Sequence, residues 1–205
     1  MTSRAYVDPY VYPETRSLIN RGGFRTQDQL DRFERRNVLA GRIALAENPT
    51  TGDFDLNHLK AIHHRLFGEV YDWAGQIRTV NINKDSSSFQ PVSRIESASA
   101  YVFGLLHAET SLLDPGVDEQ TFIREASTLV ADLNYMHPFR EGNGRTQRAF
   151  IVHVALTSGR ELAWRKVSPA DHLAASIESM NSGNGDPFHQ IFAKMVFRDR
   201  REARA

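Results

Sequence analysis

The sequence predicts a mostly α-helical fold, a bundle of about six to eight helices carrying one small β-hairpin. Two observations carry this expectation. Most of the chain repeats apolar residues at near-helical spacing, and a single stretch, Ile77 to Phe89, alternates with period two. The 205 residues suit one domain, or one domain with a small appendage, and 40% hydrophobic content suffices for a sizeable core.

Each element has its own signal. Residues 1–16 are rich in turn formers, with Tyr6, Tyr10 and Tyr12 around Pro9 and Pro13, and read as an irregular arm. From Thr26 to Ala46, Leu30, Phe33, Val38, Leu39, Ile43 and Leu45 recur at helical spacing, with Thr26 and Gln29 in capping-box form. Thr50 to Asp55 is a turn. Leu56 to Val70 is again helical, with Leu59, Ile62, Leu66 and Phe67 on one face. His58, His63 and His64 invite a zinc reading, but His58 and His63 are five apart and no second ligand cluster lies nearby, so a structural role is expected. Tyr71 and Trp73 read as core aromatics. In Ile77 to Phe89, Ile77, Thr79, Asn81 and Asn83 alternate with Arg78, Val80, Ile82 and Lys84 before the turn formers Asp85 to Ser88. A lone hairpin is marginal in water, so neighbouring helices should hold it down.

Ser93 to His107 and Gln120 to Met136 read as two further helices, separated by the turn Leu112 to Gly116. In the second, Phe122, Ala126, Leu129, Val130 and Leu133 mark a buried face that leads to His137. Ala149 to Thr157 continues a helix that begins near Arg145, and Ser158-Gly159 ends it. Pro169 to Met180 and Phe188 to Phe197 complete the set, with a Gly- and Asn-rich loop between them. Residues 198–205 are a solvated tail or linker.

Composition excludes several functions. Lys plus Arg equals Asp plus Glu at 25 each, so no broad basic field exists to hold nucleic acid or an anionic membrane. There is no cysteine, which excludes disulfides, thiolate catalysis and cysteine-based zinc sites, and cytoplasmic work is the default. No stretch has the length and apolarity of a membrane span, and the first residues lack a signal-peptide core.

The chemistry gathers between His137 and Arg148. Pro138 disfavours helix at His137, leaving the imidazole in a loop at the end of the preceding helix, where its near-neutral reference pKa suits it to take a proton from a hydroxyl. Gly142 and Gly144 flank Asn143, and the three backbone N–H groups suit a donor nest at a helix N-terminus, which favours anions. Arg145 and Arg148 lie one turn apart and suit a polyphosphate, while Glu141 supplies a hard oxygen for Mg²⁺. Phe139 is expected to bury itself and fix the loop.

This string, HPFREGNGRTQR, matches in full the signature H-P-F-x-[D/E]-G-N-G-R-x-x-R, and the chain is identified by it as resembling the Fic-domain proteins. The resemblance covers about residues 8 to 197 and includes an opening element similar to D-P-Y…Y-P-[DE]-T. It implies a Fic-type bundle with an arm at 1–16, a catalytic domain at 17–197, a flap at about 77–90 and an active-site loop at 137–148. The activity it implies is adenylyl transfer (AMPylation), moving AMP from ATP to a Ser, Thr or Tyr hydroxyl of a target protein, with pyrophosphate leaving. In that scheme His137 is the base, Glu141 holds Mg²⁺, and Gly142, Asn143, Gly144, Arg145 and Arg148 bind the phosphates. The flap receives the target by strand addition, with Ile82 on its edge and Phe89 as a clamp. Asn181 and Asp186 stand where the family contacts the nucleoside.

Two other readings accompany this one. Within the enzyme class the alternative is phosphate or phosphocholine transfer; Gly144 argues against the kinase-like variants, in which a bulkier lysine resembles a replacement at this position. A catalytically inactive protein-binding module is opposed by retention of every specified motif residue. Relatives of this type carry an inhibitory helix with [S/T]-x-x-x-E-[G/N]. Here Glu47 is preceded at four residues by Ile43, and Glu141 by His137, so no internal helix of that kind is visible and a small antitoxin acting in trans is implied. The resemblance fits both bacterial toxins and the Fic domains of secreted effectors.

Overall fold

The computed structural model describes residues 8–84, 87–107 and 112–198. Its first helix, α1 (Gln27–Glu47), follows a β-bridge between Val11 of the arm and Leu18. Thr26 is its N-cap, but the hydroxyl donates to the Gln29 side chain at 2.9 Å and not to the backbone, so the expected capping box is a side-chain pair only. Leu30, Val38 and Leu45 are buried, whereas Leu39 and Ile43 lie more than half exposed on the outer face. Helix α2 (Leu56–Phe67) is capped by Asp55, whose carboxylate accepts from the His58 N–H at 2.8 Å. It approaches α1 at Gly41, where an added Cβ would sit 2.8 Å from the Arg65 carbonyl.

The hairpin is β1 (Asn83–Lys84) and β2 (Ser87–Ser88), antiparallel, pairing Asn83 with Ser88 and Lys84 with Ser87. It is much shorter than the alternation predicts; Asp85 and Ser86 of the expected turn lie outside the described residues. A 3₁₀ turn leads into α3 (Ile95–Gly104), and another follows it. Helix α4 (Glu119–Met136), capped by Asp118, buries the expected face: Phe122, Ala126, Leu129, Val130 and Leu133 are each at most 4% exposed. Helix α5 (Asn143–Thr157) starts two residues before Arg145 and buries Phe150, Ile151, Val154 and Ala155.

The chain then forms β3 (Arg160–Leu162), α6 (Pro169–Ser182), α7 (Asp186–Met195) and β4 (Val196–Arg198). The sheet β3–β4 has no counterpart in the sequence reading, which continues the last helix to Phe197. Pairing of Glu161 with Phe197 and Leu162 with Val196 takes these residues out of the helix, and the Ala163 N–H donating to the Met195 carbonyl at 2.8 Å closes the junction. Helix α4 lies at the centre, against α3, α5, α6 and α7, while α2 joins α1 to α5. Among the described residues no helix is long and apolar enough to cross a membrane.

Candidate active site

Burial of α4 aims His137. The helix ends at Met136, itself 1% exposed, and His137 caps it in the left-handed region with φ 42°. The imidazole Nδ1 lies 3.0 Å from the Asn134 carbonyl, an acceptor, which puts the proton on Nδ1 and leaves the Nε2 lone pair as the basic position. Asn134 is anchored in turn by its amide donating to the Ser176 carbonyl of α6 at 3.0 Å. Phe89 stacks on the imidazole face with ring centroids 3.8 Å apart.

The loop after His137 is held from beneath. Phe139 is 1% exposed and stacks on His63 at 3.9 Å, as its expected burial requires. The Asn143 side chain closes the loop: its Oδ1 accepts from the Phe139 N–H at 2.9 Å and its Nδ2 donates to the Phe139 carbonyl at 2.8 Å. The Asn143 amide group is thus structural, which leaves its backbone N–H for an anion. His63 is fully buried; its Nδ1 accepts from the Gly75 N–H and its Nε2 donates to the Glu141 carbonyl at 3.0 Å. Burial lowers its pKa to about 4, so it stays neutral, and with both ring nitrogens hydrogen-bonded to backbone it serves as a strut under the loop. Among the described residues no group of three or more metal-ligating side chains exists. Gly142 has φ 82°, and an added Cβ would meet the Phe67 ring at 2.4 Å, so only glycine lets the loop lie on α2.

Helix α5 opens without a side-chain cap, as do α1, α3 and α7, but its first residues, Asn143 and Gly144, line the cavity, where helix-start amides serve as donors. Glu141 Oε1 accepts from the Gly142 N–H at 2.8 Å and from Arg145 Nη2 at 3.2 Å. Arg145 Nη1 meets Glu34 of α1 at 2.5 Å, and the other oxygen of Glu34 accepts from the Tyr71 hydroxyl. Burial and the Glu34 charge raise the Tyr71 pKa, so the phenol stays protonated and donates. Arg148 reaches back over the first turn, its Nη1 3.7 Å from the position of a Cβ at Gly144. His137, Glu141, Gly142, Asn143, Gly144, Arg145 and Arg148 line one cavity of about 1080 Å³, whose lining also includes Ile82, Phe89, Trp164 and His172.

The flap is held by a residue the sequence reading left unassigned. Arg78 is 1% exposed, and its guanidinium donates to the carbonyls of His137 at 2.9 Å, Val80 at 2.7 Å and Gln90 at 2.5 Å. The legs of the flap bond elsewhere too: the Arg78 N–H to Pro138, the Thr79 N–H to the Tyr10 hydroxyl, and the Gln90 N–H to Tyr135. This is why Ile77 to Ile82 forms no strand with the returning leg, and why Ile82 precedes the paired residues. An arginine within an alternating stretch carried no signal of burial.

Asn181 and Asp186 are not brought to the cavity. Helical periodicity turns Leu173, Ser176, Ile177 and Met180 of α6 inward, which rotates Asn181 onto the outer face, and Asp186 begins α7 beyond the turn at Gly183; both are exposed. Glu34 was missed because a glutamate on an amphipathic helix normally belongs to the solvated face.

A lone-pair-bearing imidazole, uncapped helix amides and arginines around one cavity define a group-transfer site for a phosphorylated donor. The model of the Fic/DOC family matches residues 53–155, from the turn before α2 into α5. The chain is 35% identical over 192 residues to the probable protein adenylyltransferase y4lH of Sinorhizobium fredii, covering 94% of this chain and 97% of that one. It is 41% identical over 179 residues to the protein adenylyltransferase VbhT of Bartonella schoenbuchensis, covering 87% of this chain but only 37% of VbhT. Among solved structures, the N-terminal Fic domain of a Bartonella effector protein, from Bartonella sp. AR 15-3 and a substrate of the VirB secretion system, superposes with a TM-score of 0.86 at 26% identity, over 96% of this chain and 94% of that one. The chain belongs to the Fic/DOC family, and its relatives there are protein adenylyltransferases.

Proposed function

We propose that this chain transfers AMP from ATP to a Ser, Thr or Tyr hydroxyl of a target protein. The observation that carries the reading is His137, whose Nδ1 is committed to the Asn134 carbonyl, so that Nε2 is the acceptor beside the uncapped start of α5. Nε2 takes the proton of the target hydroxyl, the oxygen attacks the α-phosphorus, and the bond to the bridging oxygen breaks as pyrophosphate leaves. The amides of Asn143 and Gly144 face the charge that develops on the phosphoryl oxygens. Glu141 fits Mg²⁺ as a single protein carboxylate: Oε1 is occupied, Oε2 has no hydrogen-bond partner among the described residues, and donor phosphates and water complete such a shell. When bound there, the ion neutralises phosphate charge.

The remaining assignments belong to the same reading. The target docks on the edge of the flap at Ile82 and is clamped by Phe89, which already covers one face of His137. A small antitoxin holds the enzyme in check by laying a carboxylate on Arg148, which has no acidic partner among the described residues. In this reading an arm at 1–16 precedes the catalytic unit at 17–197, residues 198–205 are a tail or linker, and the chain works in the cytosol of a bacterium, or of a host if it is part of a secreted effector.

The test is incubation with ATP labelled at the α- or γ-phosphate, target lysate, and the His137→Ala variant. Label from the α-position should enter protein, and the variant should lose about 10² to 10⁴ in rate while keeping ATP affinity. Transfer of γ-label alone would make the chain a phosphotransferase, and wild-type rates in the variant would remove His137 as the base.

A further inference from the structure

Arg145 and Arg148 lie one turn apart, but their surroundings differ. Both terminal nitrogens of Arg145 are taken by carboxylates, Nη1 by Glu34 at 2.5 Å and Nη2 by Glu141 at 3.2 Å, so its charge is spent within the protein. Arg148 has no ion pair or hydrogen bond among the described residues, and neither has Arg42, which projects from α1 toward the same place. Arg42 and Arg148 both line the main cavity and a second, smaller one of about 380 Å³ between α1 and α5. Arg42 and Arg148, neither paired with a carboxylate among the described residues, thus border both cavities, the smaller of which Asp31 and Glu34 also line. Burial and the like charges of Arg145 and Arg42 all disfavour the charged form of Arg148, a repulsion that an arriving polyanion would relieve.

We infer that Arg42, outside the motif, pairs with Arg148 to form a diphosphate subsite at this junction. It holds the β- and γ-phosphates of the donor and, after transfer, the free pyrophosphate. The assignment of that occupant rests on the adenylyl-transfer reading. Arg145 acts in another way, tying Glu141 to α1 and setting its carboxylate.

Arg42 is exposed, so its replacement leaves packing intact and the test does not depend on a damaged fold. The affinities of the whole chain for inorganic pyrophosphate, ATP and AMP are measured by calorimetry without any target protein, for the parent, Arg42→Gln and Arg42→Lys. Arg42→Gln should weaken pyrophosphate and ATP by about five- to tenfold, leave AMP unchanged and flatten the salt dependence; Arg42→Lys should recover part of the loss. Unchanged pyrophosphate affinity in Arg42→Gln, or an equal loss for AMP, would overturn the subsite whatever a transfer assay shows. Arg42-dependent pyrophosphate affinity in a chain that never moves AMP would support the subsite and overturn the transfer reading instead.

Discussion

Replacing Asn143 by alanine removes both hydrogen bonds that close the loop between His137 and α5. Phe139, their backbone partner, is 1% exposed, and Asn143 is 3% exposed, so water cannot readily replace the lost amide. A buried N–H and a buried carbonyl left unsatisfied cost about 1–3 kcal/mol each, so the variant should lose roughly 2–6 kcal/mol. That is a large part of an ordinary domain's stability, and at roughly 2–4 °C per kcal/mol it lowers the melting temperature by about 4–24 °C. The loop that relaxes also carries His137 and Glu141, and a displacement of about 1 Å at a reacting group costs on the order of 10² in rate. The α5 amides remain, so donor binding should persist. Asn143→Asp keeps the acceptor for the Phe139 N–H, but sets a carboxylate against the Phe139 carbonyl and should fare no better. Urea unfolding and α-labelled transfer measured on the same preparations make the check. An alanine variant within about 0.5 kcal/mol of the parent and transferring at the parent's rate would refute the reasoning. It would show that Phe139 burial and its stack on His63 hold the loop unaided.

Two further outcomes follow from other buried groups. Arg78→Lys keeps a charge but cannot span the carbonyls of His137, Val80 and Gln90 with one ammonium; it should cost about 2–3 kcal/mol and raise the KM for target protein more than that for ATP, and equal effects on both would remove the flap linkage. Acid should destabilise the fold before the carboxylates protonate. His63 and His172 are each held near pKa 4 against an ordinary 6.5, burial being the larger cause in both. The unfolded chain therefore binds more protons between these values, and stability falls as the pH drops from 6.5 toward 4. The buried His63 contributes about 2 kcal/mol of loss by pH 4.5, and His172, which lines the open cavity, contributes less. Identical urea midpoints at pH 7 and 4.5 would mean that the two imidazoles are not neutral in the fold.

The helices were legible because burial of a helix face imposes a 3.6-residue repeat on its own residues, a pattern complete within each segment. The loop from His137 to Arg148 was legible for a similar reason. Proline, glycine and a helix start act on their neighbours, so residue types at fixed spacing specify a left-handed cap, a close approach and an uncapped turn. What stayed hidden depends on which distant segments meet. The pairing of β3 with β4 overrode a helix continuation at Val196 and Phe197. The alternation from Ile77 to Ile82 did not become a strand, since Arg78 and the Tyr10 hydroxyl took its backbone partners. Asn181 and Asp186 were placed by their order along the chain, but α6 turned Asn181 outward and Asp186 opens α7 beyond the turn at Gly183. Glu34 and Arg145 are 111 residues apart, and nothing near either one reports the other. Residue spacing determined the loop that carries the chemistry, whereas tertiary packing decided which charges around it are neutralised and which are left for a ligand. The physical reason is that hydrogen bonds and ion pairs act over a few ångströms of space, and only within an element does distance along the chain fix distance in space.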